Sequence, residues 1–303
     1  MIPGHYFYKA LEDRSSSIER ARKISEPILN MAEVHGKFFL MPDGGDILHP
    51  VNSIEMFSKM VHEEPSLFRL PFPVCVLEFS TAGDGASVNG DAFAKGDFKQ
   101  PRCCVAWELD AHRPLAGLRD MPPGSLAVWS TNYMPPHKNM PGWWCGDPVV
   151  NVVLPNLAVG GMLFIRQMRP PWADEAAATD PTFEAFCDAS KAEVQCVTSL
   201  CMALACSNVT TSFLEADARL NIARIKRGRK PFAAYHVLQL VAAESGRVGG
   251  FGSHASPAMH VRRGHIRRLA SGRRTWVNQC VVGRIASGLV DKDYDARSLA
   301  GSM

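Results

Sequence analysis

The order of hydrophobic and polar residues predicts helices at the start of the chain and strands in its middle. Apolar residues recur at helical spacing from Ser15 to Val34, with Ser17 as a capping residue and Pro27 as an interruption. A second helical pattern covers Val51–His62. Five short runs of strand-forming residues follow, separated by Gly, Pro, Asp and Asn. They predict strands at Val74–Ser80, Cys103–Leu109, Ser125–Ser130, Val149–Leu154 and Met162–Gln167.

The rest of the chain returns to helical spacing and then to strands. Helices are predicted from Phe183 to Cys206 and over Leu214–Arg224, and a strand over Ala234–Ala242. Met259–Leu269 and Thr275–Val282 are typical of a hairpin around a Ser-Gly turn. The pattern therefore predicts an α+β fold with N-terminal helices, a mainly antiparallel central sheet, a helical segment and a C-terminal basic β-hairpin.

We expect three regions, 1–68, 69–180 and 181–303, joined into one continuous domain. A hydrophobic content of 46% and a charged content of 21% are ordinary for a packed globular protein, which argues against widespread disorder. Met1–Lys9 is too polar for a signal peptide, and no apolar stretch near a terminus reaches the roughly 20 residues of a membrane span. We expect a cytoplasmic protein with no membrane partner and with its nine cysteines reduced.

The motifs of common cofactor and metal sites do not occur in the sequence. Cys196, Cys201 and Cys206 are spaced by five residues, and Cys103-Cys104 has no second pair to complete a zinc site. No phosphate-binding loop, dinucleotide fingerprint or nucleophile elbow is present. We expect no metal and no cofactor.

The charge of the chain is distributed unevenly. Residues 220–303 contain 15 Lys and Arg against four acidic residues, whereas residues 1–219 contain 18 basic and 26 acidic residues. An acidic front and a basic back indicate that one end binds a polyanion such as nucleic acid. The alternative is that the two parts attract each other.

The densest basic feature is the run from His260 to Arg268. If this run is a strand, neither of its faces is apolar, and at least one face must meet anions or water. The arginine fork suits phosphate, and a glycine inside the run lets a ligand approach the backbone closely. The predicted nucleic-acid-binding residues are His260, Arg262, Arg263, Gly264, His265, Arg267, Arg268, Arg273 and Arg274, together with Lys226, Arg227, Arg229 and Lys230.

Two other interpretations of this run stay open. It could be a solvated edge hairpin whose charges prevent aggregation. His260 and His265 could also cleave RNA by general acid–base chemistry without a metal, but residues five apart on a strand point to opposite faces. We therefore assign no catalytic residue and expect the histidines to have a structural role.

Aromatic residues cluster around two Pro-rich turns in the central region. Trp129, Tyr133, Trp143 and Trp144 could line a groove for a peptide or a base. Such residues more often close one end of a sheet core.

The sequence His260-Val-Arg-Arg-Gly-His-Ile-Arg-Arg-Leu269 and the strand after it resemble the C-terminal module of a family of phage and plasmid proteins. That family includes type V-A anti-CRISPR proteins that lower production of their target nuclease. Looser similarities lie at Leu70–Cys75, at Cys206–Val209 and at Pro231–Tyr235. The firm match covers about a tenth of the chain, and Ile266 and Arg267 stand where the family has Trp-His.

The resemblance implies an accessory protein of a mobile element that acts in the host bacterium's cytoplasm against host defence. Its expected partners are RNA or the ribosome, bound by the basic hairpin, and a host defence protein or its nascent peptide, bound by the central region. The alternatives are a metal-independent nuclease and a purely protein-binding inhibitor. The sequence leaves open whether the chain forms a homodimer.

Overall fold

A computed structural model of the chain has the predicted α+β architecture. The structure describes residues 4–12, 19–42, 45, 69–82, 99–133, 143–144, 149–159, 162–170, 175, 178–179, 192–240, 258–262, 265–277, 280–282 and 284–289. For some residues in these ranges only the backbone is described. The chain divides into two compact units. We call Met1–Ala205 with Val209–Gln239 the sheet unit, and Cys206–Asn208 with Leu240–Met303 the hairpin unit.

The described helices and strands follow one another in a mixed order. The helices are α1 (Tyr6–Glu12), α2 (Glu19–His35), α3 (Ala192–Leu204) and α4 (Ala218–Lys226), with a short 3-10 turn at Ala116–Leu118. The strands of the first half are β1 (Lys37–Leu40), β2 (Val74–Ala82), β3 (Lys99–Glu108), β4 (Leu126–Tyr133), β5 (Trp143–Trp144), β6 (Val150–Val159) and β7 (Met162–Met168). Those of the second half are β8 (Val209–Leu214), β9 (Tyr235–Leu240), β10 (Ala258–Arg262), β11 (His265–Arg268), β12 (Arg274–Val277), β13 (Cys280–Val282) and β14 (Arg284–Leu289).

The sheet unit is built on one large mixed sheet. Its strand order is β7-β6-β4-β3-β2-β1-β9-β8, and β5 pairs with the end of β4. The ladders from β2 through β3, β4 and β6 to β7 are antiparallel, whereas β1 is parallel to both β2 and β9. The antiparallel majority agrees with the predicted sheet.

The central strand β2 is buried on both faces of the sheet. Val74 and Val76 belong to a hydrophobic cluster with residues of α1 and α2, whereas Cys75 and Leu77 belong to a second cluster with residues of α3. A nearly continuous apolar run is the pattern expected of a strand covered on both sides. The sheet therefore separates two cores.

Helix α2 passes into β1 through a single residue, Gly36. Its N–H donates to the carbonyl of Ala32 at 2.8 Å, and a Cβ at this position would lie 2.4 Å from the same oxygen. Only glycine fits so close an approach. Pro27 lies inside α2 without ending the helix.

The hairpin unit contains two small sheets. Strand β10 lies between β13, to which it is antiparallel, and β14, to which it is parallel. Strands β11 and β12 form a separate antiparallel pair.

All five strands predicted between Val74 and Gln167 are confirmed, each with somewhat different ends. The helix predicted over Leu214–Arg224 is wrong at its start, because Leu214 ends strand β8 and the helix begins only at Ala218. Helix α1 and strands β1 and β8 were not predicted. The helix predicted at Val51–His62 lies outside the described residues. No helix in the described part of the chain is both long and apolar enough to cross a membrane.

Candidate nucleic-acid interface

The tight turn between β11 and β12 is formed by three small residues, Ala270, Ser271 and Gly272. The N–H of Leu269 donates to the carbonyl of Arg273 at 2.7 Å, and the N–H of Gly272 donates to the carbonyl of Leu269 at 2.9 Å. Gly272 has φ 81°, the left-handed conformation that a three-residue hairpin loop requires at this position. The predicted turn is confirmed, and glycine is its determinant.

The two strand pairs of the basic hairpin follow one register. His260 pairs with Val282 and Arg262 with Cys280, while His265 pairs with Val277 in the other ladder. The register continues from one ladder to the other, so β10 pairs with β13 and β11 pairs with β12 without a shift between them. We call the distal part of this hairpin, His265–Val277, the arginine ribbon.

Positive charge is concentrated at the end of the arginine ribbon. Arg267, Arg268 and Arg273 are exposed, and Arg274 is half-buried. Arg268 lies directly opposite Arg274, a like-charged pair that destabilises a strand ladder. The ribbon sequence contains no acidic residue. Guanidinium groups exposed in this way can bind phosphate oxygens.

The end of the ribbon next to the turn is held by Ser207. Its backbone N–H and its hydroxyl both donate to the carbonyl of Arg274, at 2.9 and 2.8 Å. These bonds occupy the carbonyl of Arg274 on strand β12. The backbone that carries the arginines is therefore fixed at one point by a residue distant in sequence.

The histidines of the predicted site occupy separate positions along the hairpin. The structure describes only the backbone of His260, Arg262 and His265, while Arg263 and Gly264 lie outside the described residues. His260 lies on β10 of the three-stranded sheet, whereas His265 lies on β11 of the two-stranded sheet.

The basic run from Lys226 to Lys230 belongs to the sheet unit. Lys226 and Arg227 are exposed, whereas the other two basic residues form ion pairs with acidic residues near the N-terminus. Arg229 contacts Glu12 at 2.8 Å and Lys230 contacts Glu33 at 3.1 Å. Two of the four basic residues in this run therefore pair with carboxylates. These ion pairs agree with the alternative that the basic and acidic parts of the chain attract each other.

The aromatic residues predicted to bind a partner do not share one environment. Trp129 is fully buried and belongs to the core cluster beneath α1 and α2. The prediction that it lines a groove is wrong, because a buried side chain cannot contact a partner. Trp143 and Trp144 form β5 and pair with Tyr133 and Asn132, and their side chains lie outside the described part of the structure.

A buried polar cluster in the sheet unit was missed by the sequence analysis. Glu78 is fully buried on β2, where its carboxylate accepts hydrogen bonds from three donors. The N–H groups of Tyr6 and Phe7 donate at 2.8 and 2.9 Å, and the Tyr235 hydroxyl donates at 2.8 Å. The available signal was a single acidic residue inside the apolar run of β2.

His5 completes this cluster. Its Nδ1 lies 3.2 Å from the Tyr235 oxygen, and because that hydroxyl donates to Glu78, Nδ1 is the donor to Tyr235. The His5 ring stacks on Phe232 at 3.8 Å, and the Arg224 guanidinium lies over the same phenyl ring at 4.0 Å. His5 has φ 50°, an unusual conformation for a residue other than glycine, and these contacts stabilise it.

Burial dominates the electrostatics of the cluster. It raises the pKa of the Glu78 carboxyl, against the opposing effect of the Phe7 and Tyr6 amides and the Tyr235 hydroxyl. Burial also lowers the pKa of His5 to about 4, an effect to which the positive charges of Lys9 and Arg224 add. The cluster joins α1, β2 and β9, and this position indicates a structural rather than a catalytic role.

The opposite core holds a buried ion pair. Arg102 on β3 donates to Glu193 at the start of α3. Arg102 Nε and Glu193 Oε2 are buried without a hydrogen-bond partner. Burial raises the pKa of the Glu193 carboxyl, while the Arg102 charge acts to lower it. The pair connects sheet and helix, and its two unpartnered atoms reduce the stability that it contributes.

The side chains of six cysteines in the described chain are buried: Cys75, Cys103, Cys104, Cys196, Cys201 and Cys206. Within the described ranges, no three His, Cys, Asp or Glu side chains are grouped so that they could bind a metal ion. Comparison of the chain with protein-family models, with curated proteins and with solved structures finds no match. The functional assignment of the candidate interface therefore rests on the positions and charges of its residues.

Proposed function

We propose that this protein is an accessory protein of a phage or other mobile element that binds RNA through its arginine ribbon and opposes host defence. The observation that carries the proposal is the set of exposed guanidinium groups at Arg267, Arg268 and Arg273, on a ribbon without acidic residues. Such a surface attracts phosphates and releases their counterions. The counter-defence part rests on the resemblance of the His260–Leu269 segment to the phage and plasmid family.

The proposal includes a second partner, a host defence protein or its nascent peptide, which the central region binds in the host cytoplasm. Trp129 is a core residue, so this role falls to Tyr133, Trp143 and Trp144. A ribbon that contacts RNA or the ribosome and a separate peptide site would allow action during synthesis of the target.

A purely protein-binding inhibitor is the second candidate function. The ion pairs of Arg229 with Glu12 and of Lys230 with Glu33 show that basic residues of this chain do pair with carboxylates. The ribbon arginines could bind an acidic protein in the same way. A metal-independent nuclease using His260 or His265 is the third candidate, and cleavage of RNA in the presence of a chelator would support it.

The test uses two double variants that each remove two exposed arginines. Arg267→Ala/Arg273→Ala removes them from the ribbon, and Arg166→Ala/Arg219→Ala removes them from the sheet unit. Tagged proteins are purified from a bacterial host, and the bound RNA and proteins are sequenced and identified. We expect the ribbon variant to lose RNA that the wild type and the control variant retain. Recovery of a protein without RNA from all three would contradict the proposal and support protein binding.

A further inference from the structure

Strand β8 lies at one edge of the large sheet and has a neighbour on one side. It pairs with β9, and within the described part of the chain no other strand pairs with it. Every second residue of an edge strand directs its N–H and C=O away from the neighbouring strand. About three of the six residues of Val209–Leu214 therefore present a backbone donor and a backbone acceptor outward.

The sequence of β8 does not prevent pairing at this edge. Val209–Leu214 contains no charged residue and no proline, which are among the residues that keep natural edge strands from pairing with other chains. At the opposite edge of the sheet, β7 carries the exposed Arg166. The Phe213 side chain is 66% exposed, although its ring centroid lies 4.6 Å from that of buried His236. The edge at β8 is therefore uncharged and exposes an aromatic side chain.

The segment after β8 carries an excess of positive charge. Residues 215–230, which include α4, contain six basic and two acidic residues. Three of the basic residues pair with Glu12 and Glu33, and the summed charge of the segment and these two glutamates stays positive. Lys226 and Arg227 are exposed, and no ion pair of the described residues includes them. We call β8 together with α4 and Arg227 the edge surface, and its charge favours an acidic partner.

We propose that the edge surface binds an extended acidic segment of a partner protein, which pairs with β8 as an additional strand. A strand offers N–H and C=O groups in alternation, and these match the outward groups of β8. Acidic residues of the bound segment complement Lys226 and Arg227, and an apolar residue covers Phe213. This inference goes beyond the proposed function, because it uses neither the arginine ribbon nor the aromatic residues around β5.

Two other occupants fit the edge surface less well. Phosphate oxygens accept hydrogen bonds but donate none, so a nucleic acid backbone would leave the outward carbonyls of β8 without donors. A second copy of this chain would bring the same excess of positive charge, since a symmetric interface joins identical surfaces. The combination of an open strand edge and unpaired cations therefore favours an acidic peptide segment.

The experiment measures fluorescence anisotropy of labelled peptides of about ten residues, long enough to cover β8, with the full wild-type chain. The first probe alternates glutamate and valine, and the second has lysine in place of every glutamate. Two further probes are the acidic peptide carrying N-methyl groups, on every valine in one and on every glutamate in the other. Since alternate N–H groups of a strand point to opposite edges, each methylated probe lacks the donors of one edge.

We expect the acidic peptide to bind at least about tenfold more tightly than the lysine peptide, because the edge surface is basic. N-methylation of one of the two sets should weaken binding about tenfold or more, because the donors that face β8 are lost. Equal binding of the acidic and lysine peptides would overturn the inference, and so would unchanged binding of both methylated peptides. These measurements use the wild type and do not depend on the folding of a variant.

Three variants test where the acidic peptide binds. Phe213→Thr removes the exposed ring and keeps strand propensity, and Lys226→Glu/Arg227→Glu reverses the charge. Arg119→Glu/Arg166→Glu is the matched control, with the same charge change at two exposed positions outside the edge surface. We expect the first two to weaken peptide binding about three- to tenfold and the control to leave it unchanged. A control that weakens binding as much as the other two would refute this location, and circular dichroism checks that each variant is folded.

The remaining outcomes concern the other occupants. A dimer of the chain alone, seen by analytical ultracentrifugation and dissociated by Phe213→Thr, would show that a second copy covers β8 and would contradict the inference. Oligouridine that displaces the acidic peptide as effectively as unlabelled peptide does would also contradict it, since the surface would then bind polyanions in general. Binding of the acidic peptide by a chain that fails to bind RNA would support this inference and remove the proposed function.

Discussion

The sheet unit and the arginine ribbon both depend on charged residues, but they place them in opposite environments. In the sheet unit Glu78 is fully buried, and Glu193 is 3% exposed beside Arg102. In the ribbon, Arg267, Arg268 and Arg273 are exposed. Charge in the core must be matched by hydrogen bonds or a counter-charge, because an unmatched buried ion is very unfavourable. Charge in water has no such requirement.

This difference assigns separate roles to residues of the same chemical class. The buried carboxylates join elements distant in sequence, as Glu78 does for α1, β2 and β9. The ribbon arginines are exposed, so a ligand can reach their guanidinium groups. We therefore expect buried charges to control stability and ribbon charges to control binding.

The largest effect on stability should come from Glu78→Ala. The substitution leaves the buried N–H of Phe7 and the half-buried N–H of Tyr6 without their acceptor, and a buried group left unpaired costs about 1–3 kcal/mol. We expect the free energy of unfolding in urea to fall by about 3 kcal/mol or more. Glu215→Ala, at an exposed position, is the control. Equal effects of the two substitutions would show that the cluster does not stabilise the sheet unit.

The second-largest loss of stability should come from Arg102→Met. It leaves the Glu193 carboxylate buried without its counter-charge, and we expect a loss of about 2–3 kcal/mol at pH 7. Replacing both residues, by Arg102→Met/Glu193→Leu, should recover most of that loss because no buried charge then remains. Urea unfolding of the single and double variants measures this coupling. A double variant less stable than the single one would contradict the explanation.

A pH-dependent effect should come from His5. Its pKa is about 4 in the fold against 6.5 for an ordinary histidine, so the folded protein binds this proton more weakly than the unfolded chain. The stability contributed by neutral His5 is fully present above about pH 6.5 and is lost as the pH falls toward 4. Glu78 acts in the opposite direction, because a raised pKa favours folding at low pH.

His5→Asn separates these two contributions, since asparagine tolerates the left-handed backbone at this position. We expect the free energy of unfolding to decrease between pH 7 and pH 5 more for the wild type than for the variant. Urea titrations at both pH values measure the difference. The same decrease in both proteins would mean that His5 is not the titrating group.

The smallest effect on stability should come from Arg267→Ala/Arg273→Ala. Both side chains are exposed, and surface substitutions of this kind change the free energy of unfolding by within about 0.5 kcal/mol. Thermal unfolding by circular dichroism tests this expectation on the same samples used for RNA binding. A large loss of stability would show that these arginines support the fold, and the contrast between the two regions would disappear.

Local patterns were sufficient to predict much of this fold. The five central strands follow from short runs of strand-forming residues between Gly, Pro, Asp and Asn, and the hairpin turn follows from Gly272, whose positive φ other residues adopt at a cost. Strand β1 has only four residues, and its pairing partners lie far along the chain. Strand β1 pairs with β2 and β9, a parallel arrangement that no local pattern indicates.

The candidate interface was predictable only in part. Arginines on both faces of a strand indicated an exposed surface, and the exposed positions of Arg267, Arg268 and Arg273 agree with that part of the prediction. Phosphate binding at this surface stays a prediction. The ion pairs formed by the Lys226–Lys230 run were not predictable, because the partners Glu12 and Glu33 are about 200 residues away in sequence. The burial of Trp129 was one of two alternatives that the sequence left open, since a tryptophan in a half-polar strand can face either side.

The sequence by itself determined which segments become strands and helices and where positive charge accumulates, because both depend on neighbouring residues. Only the tertiary structure decided which charges are neutralised. Glu78 meets Tyr235 and His5, and Arg229 meets Glu12, only after the chain has folded. Whether a charged residue stabilises the fold or stays exposed depends on which residues of distant segments pack beside it.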